Sequence, residues 1–177
     1  MPRSTWLPPA GALPLLVALC FGAAPLRAEP GDWSSAPDMA GLRETLDDWL
    51  DRNSAYPRRD ADVRIMQVSR ARALALAAPA ARDPEGLRGL YQPEERTIYL
   101  IRPWSPREAQ DVSVLLHELT HHRQQTARHW VCAGQQELPA YRLQEKWLAE
   151  QGETGSFNLI AAVIAEGCHP RDFHPGT

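Results

Sequence analysis

Residues 105–121 read Ser105-Pro106-Arg107-Glu108-Ala109-Gln110-Asp111-Val112-Ser113-Val114-Leu115-Leu116-His117-Glu118-Leu119-Thr120-His121. The Ser-Pro-Arg-Glu opening has the form of a capping box with proline at the first helical position, which predicts a helix start. Val112, Leu115, Leu116 and Leu119 then recur at i, i+3, i+4 and i+7, one apolar face of a helix running to about Ala127. His117 and His121, four apart, lie one turn above each other on that helix, so their imidazoles can converge on a single Zn²⁺. Glu118 projects beside the metal, where a carboxylate can polarise water.

Upstream, Met1 to about Ala28 has the pattern of a secretory signal peptide. Arg3 supplies the positive end, Gly11–Ala24 is a short apolar run, and cleavage is expected after Ala28 or Ala24. Lipidation at Cys20 and an uncleaved anchor are the weaker alternatives. Residues 29–37, rich in Pro, Gly and Ser, read as a disordered lead-in, and 38–177 as a single domain. Without Arg3 and Arg27 the 19 basic side chains fall to 17 against 22 acidic ones, a net of −5 spread along the chain. That balance argues against nucleic acid, and the absence of a second long apolar run argues against a membrane span after signal removal. The setting expected is secreted or periplasmic. There Cys132 and Cys168 would form a disulfide, closing a loop worth roughly 4 kcal/mol in the chain-entropy model.

Helical periodicity from about Asp38 takes in Leu42, Leu46, Trp49 and Leu50 and ends near Asn53-Ser54. Val63–Val68 suggests a short strand and Ser69–Ala78 a helix closed by Pro79. Leu90-Tyr91, a turn at Pro93-Glu94-Glu95 and the strand Thr97–Ile101 follow. A helix is expected over about Leu138–Gln151, ended by Gly152, and a last one from a Ser156 cap through Ile164 to Gly167.

A catalytic zinc takes three protein ligands and leaves one position open. The extended pattern with a third histidine is missing, because position 124 is Gln and position 127 is Ala. His122 points about 100° away around the helix, and His129 falls near its end. Glu137, ahead of the next helix, is the candidate third ligand. Pro139 disfavours helix at Leu138 and would leave Glu137 just before that helix. Glu145 and Glu150 are the fallbacks. Tyr141, one turn after Glu137, is a candidate oxyanion stabiliser, as are His169 and His174. His122 reads equally as a support for the site or as solvated.

These residues resemble the zincin metallopeptidases of the gluzincin type, especially their small secreted members. The resemblance covers about Leu90–Leu148, carried by the His-Glu-x-x-His helix, the strand before it and the downstream Glu. It implies an α+β fold with a short mixed sheet packed on an active-site helix and further helices C-terminal to it. It also implies that an edge strand, here Thr97–Ile101, holds an extended peptide or protein substrate. The expected activity is a zinc-dependent peptidase in which Glu118 is the general base, passing its proton to the leaving amine. A non-catalytic zinc-binding module acting through a protein partner is the alternative.

Overall fold

The computed structural model describes Met1 and residues 32–77, 86–155, 157, 159–166 and 168. The remainder of the expected signal segment, Pro79, Ser156, Gly167, His169 and His174 lie outside these residues. Helix α1, Met39–Asn53, starts where its apolar period starts. The Asp38 carboxylate accepts the Gly41 N–H at 2.8 Å as its N-cap. Leu42, Leu46, Trp49 and Leu50 all turn inward and are buried. Within the segment read as a disordered lead-in, Trp33–Ser35 forms a 3₁₀ turn. Trp33 anchors it, packing on Trp147 with ring centroids 5.5 Å apart and donating its indole N–H to Gln151.

Strands β1 (Arg64–Val68), β2 (Gly89–Gln92) and β3 (Thr97–Ile101) form a mixed sheet in the order β1-β3-β2. β1 runs parallel to β3 and β2 antiparallel to it. Thr97–Ile101 is therefore central, not an edge, and all five of its residues are buried. The reason is that both its faces are covered. Ile98 and Leu100 meet the main core with Tyr91, Leu42, Leu46, Leu115 and Leu119. Tyr99 and Ile101 meet a smaller core with Val68 and Ala73 of helix α2, Arg70–Ala77. The edges are the partly exposed β1 and the four-residue β2.

Helix α3 spans Ala109–Ala127, starting three residues later than the Ser105 box predicts. Asp111 sets this start. Its carboxylate accepts the Ser105 N–H at 2.8 Å and Arg88 at 2.7 Å, while its backbone carbonyl accepts the Trp104 indole N–H. The Ser105 hydroxyl is left to accept the Arg107 N–H in a turn, and Glu108 becomes the N-cap without a side-chain bond. On the opposite side of α3, Arg123 is buried and donates to the Asp47 and Asp51 carboxylates, locking α3 to α1.

Helix α4, Gly134–Glu150, begins four residues before Leu138 and contains Pro139; Gly152, with φ +77°, follows its end as expected. Helix α5, Leu159–Glu166, packs along α4, and Cys132 is disulfide-bonded to Cys168. Among the described residues the architecture is thus α+β, with five α-helices about a three-stranded sheet. None of the described helices is long and apolar enough to cross a membrane.

Candidate metal centre

Helical spacing places His117 and His121 side by side on α3, their Nε2 atoms 3.0 Å apart. Glu137 comes from the first turn of α4. Its Oε2 lies 3.4 Å from His117 Nε2 and its Oε1 lies 3.4 Å from His121 Nε2. Candidate ligand atoms of the three residues all fall within 4.8 Å of one another. Pro139 does not push Glu137 out of the helix as expected. The helix is already one turn old at that point, and the missing proline N–H costs only the bond to the Gln135 carbonyl.

Each histidine is held by a glutamine. The His117 Nδ1–H donates to Gln144 Oε1 at 3.1 Å, and Gln144 Nε2 donates in turn to the Ser113 hydroxyl at 2.9 Å. The His121 Nδ1–H donates to Gln124 Oε1 at 2.8 Å, and Gln124 Nε2 donates to the Gln136 carbonyl at 3.0 Å. An amide oxygen can only accept, so both rings are fixed with Nε2 turned towards Glu137. Two imidazole nitrogens and one carboxylate, oriented through the far side of each ring, form a donor set that fits zinc.

The charges respond to this crowding. Burial alone would lower His121, but the Glu137 carboxylate outweighs it and lifts the imidazole to about 9. Burial alone would raise Glu137, yet His121 and His117 hold it well below the usual carboxylate range.

Glu118, the next residue along α3, is buried, and burial pushes its carboxyl above the ordinary value. The backbone N–H of Tyr91 on β2 donates to it. This contact requires Gly89: a Cβ there would stand 2.7 Å from Glu118 Oε1 and 2.8 Å from Val114 Cγ1.

The other candidates separate. Tyr141 joins the site, its ring packed between His117 at 4.5 Å and Phe157 at 4.9 Å. His122 does not. It is buried on another face of α3, with Nε2 against the Ala61 carbonyl and Nδ1 against the Tyr91 hydroxyl and Arg59. Burial and Arg59 push it down to about 4, so it is neutral rather than solvated. His129 and Glu145 are exposed, and Glu150 accepts from Trp49 and Lys146.

Sequence reading missed Gln124, Gln144, Gly89 and the Tyr91 amide. Gln124, three residues after His121, and Gln144, seven after Glu137, carried a signal, since both spacings return to the same helix face. A groove of about 480 Å³ between α1, α3 and α4, lined by Tyr56, Arg128, Pro139 and Arg142 among others, shares no residue with the site.

Residues 35–176 match the family model described as "Domain of unknown function (DUF6647)". The match takes in most of the 177 residues, and the chain belongs to this family. No curated protein and no solved structure matches it.

Proposed function

We propose that this member of the family is an exported zinc-dependent peptidase of zincin-like design, with His117, His121 and Glu137 as metal ligands and Glu118 as general base. One observation carries the reading. Two Nε2 atoms and a carboxylate converge while each histidine's other nitrogen is already committed to a glutamine. A structural ion pair would not require both rings to be oriented in this way. When bound, zinc supplies Lewis acidity, polarising a substrate carbonyl and making water acidic near neutral pH.

The chain's own groups supply the rest. Glu118, buried and raised, takes the proton of the attacking water onto its carboxylate and hands it to the leaving amine. The Tyr91 amide keeps that carboxylate in place. Tyr141, resting on the His117 ring, is the candidate donor to the charge that develops on the carbonyl oxygen.

The edge strand beside α3 is β2 rather than β3. The Arg88 carbonyl accepts the Ile101 N–H. The antiparallel alternation therefore turns the main-chain groups of Gly89 and Tyr91 away from β3, the Tyr91 N–H going to Glu118. An extended peptide alongside β2 would present its carbonyls next to Glu118. The Cys132–Cys168 disulfide is compatible with an oxidising compartment outside the cytosol.

The test is peptide hydrolysis by the zinc-loaded chain and by Glu118→Gln. Cleavage by the wild type that is lost in a variant still holding zinc supports the reading. Equal cleavage by both removes Glu118 from the chemistry. Zinc bound with no cleavage by either favours the non-catalytic module.

A further inference from the structure

The turn of α4 that carries Glu137 is weak by its own sequence. Ala133 stands at the N-cap and provides no side-chain cap, and Gly134, a poor helix former, comes next. Pro139 has no N–H to offer the Gln135 carbonyl. Locally it has the backbone bonds of Gln135 and Gln136 N–H to the Cys132 and Ala133 carbonyls, and further anchors come from outside the helical ladder. Gln124 Nε2 donates to the Gln136 carbonyl at 3.0 Å, and the Val131 N–H donates to Gln135 Oε1 at 3.1 Å. The third anchor is covalent. Cys132, one residue before the N-cap, is bonded to Cys168, just beyond α5, and α5 packs along α4.

We infer that the Cys132–Cys168 bond governs metal retention by clamping the α4 turn that presents Glu137 to His117 and His121. This rests on the metal reading proposed above. In the oxidised chain the clamp closes a frame of α4, α5 and the connector from α3, and the carboxylate stays 3.4 Å from both Nε2 atoms. In the reduced chain an uncapped turn with glycine at its start and proline inside it frays. Glu137 leaves, and two histidines alone hold the ion poorly. Cys132 is buried and Cys168 partly exposed, so the Cys168 end of the bond is the more open to solvent. A dithiol reductant would open the bond. One S–S bond breaks, two electrons and two protons pass to the cysteines to give two thiols, and the dithiol is left as a disulfide.

The experiment uses the full chain in four forms: oxidised wild type, Cys132→Ser/Cys168→Ser, Glu137→Ala, and the triple variant. Zinc affinity is measured by competition with a chromophoric chelator. The double-serine variant is expected to bind zinc at least about tenfold more weakly than the wild type. In the Glu137→Ala background, removing the disulfide is expected to change little.

Hydrogen exchange on the metal-free chains gives a second readout. Amides of residues 134–141 should exchange faster in the double-serine variant, while those of 112–124 keep their protection. Equal zinc affinity with and without the disulfide overturns the inference. So does an equally large loss when Glu137 is already absent, or unchanged protection at 134–141. A wild type that binds no zinc overturns the metal reading and this inference with it.

Discussion

Replacing Gln144 by leucine isolates the support behind one metal ligand without touching the ligands themselves. Gln144 and His117 are 6% and 7% exposed, and the 3.1 Å bond from His117 Nδ1–H to Gln144 Oε1 has no water to replace it. Leucine is close to glutamine in volume, so packing changes little and the loss is polar. A buried N–H left without an acceptor costs about 1–3 kcal/mol. The Ser113 hydroxyl loses a donor but still donates to the Gln110 carbonyl at 2.7 Å, so it adds little.

Independently, removing a partner of this kind weakens metal binding roughly 10–100-fold, which is about 1.4–2.7 kcal/mol. The two routes agree, since both measure what it takes to keep one imidazole aimed. Zinc affinity should therefore fall roughly 10–100-fold in Gln144→Leu. Gln144→Glu, which restores an acceptor in the same place, should stay within about threefold of the wild type. The assay is chelator competition, with urea unfolding of the metal-free chains to register the stability loss separately. If Gln144→Leu holds zinc as tightly as the wild type, the orientation argument for this site is wrong.

Gly89→Ala should force β2 from α3 at Glu118, costing about 1–3 kcal/mol of stability as overpacking and lowering turnover. Zinc affinity should hold because no ligand is touched, and a fully active variant would contradict the 2.7 Å approach. Arg123→Met removes the bonds that tie α3 to Asp47 and Asp51 and leaves the buried Asp47 with Arg43 as its ion-pair partner, so urea unfolding should show a loss of about 1.5–3 kcal/mol; a loss below about 1 kcal/mol would make the Arg123 pair dispensable. His122, with a folded value of about 4 beneath an ordinary 6.5, must stay neutral to remain packed. Its contribution to stability is complete above pH 6.5 and is lost as pH falls through about 4. His122→Gln should flatten that part of the stability profile, and an unchanged slope would place the titration elsewhere.

Much of the fold was legible because its signals were local. Leu42, Leu46, Trp49 and Leu50 mark one face of α1, and the β-branched and aromatic run at Thr97–Ile101 marks a strand. Pairing order was not local. Whether Thr97–Ile101 is central or an edge depends on Arg64–Val68 arriving parallel on its other side. The start of α3 failed for a similar reason. Ser105 has the chemistry of a cap, but Asp111 and Arg88 compete for that corner and pull the chain into a turn first.

At the site, His117, Glu118 and His121 follow from helical spacing alone. Glu137 required the contact between α3 and α4, and Pro139 argued against its placement until the helix proved to begin at Gly134. The supporting glutamines went unseen because glutamine is common on solvated helix faces. Only burial shows that Gln124 and Gln144 are committed to the rings.

The proposed function depends most directly on whether these three side chains hold a metal. Elemental analysis after zinc loading and exhaustive dialysis should find a single zinc ion per wild-type chain, the same in Glu118→Gln, and none in His117→Ala/His121→Ala. A wild type that emerges without zinc, or a double-alanine variant that keeps it, would contradict the assignment of His117, His121 and Glu137.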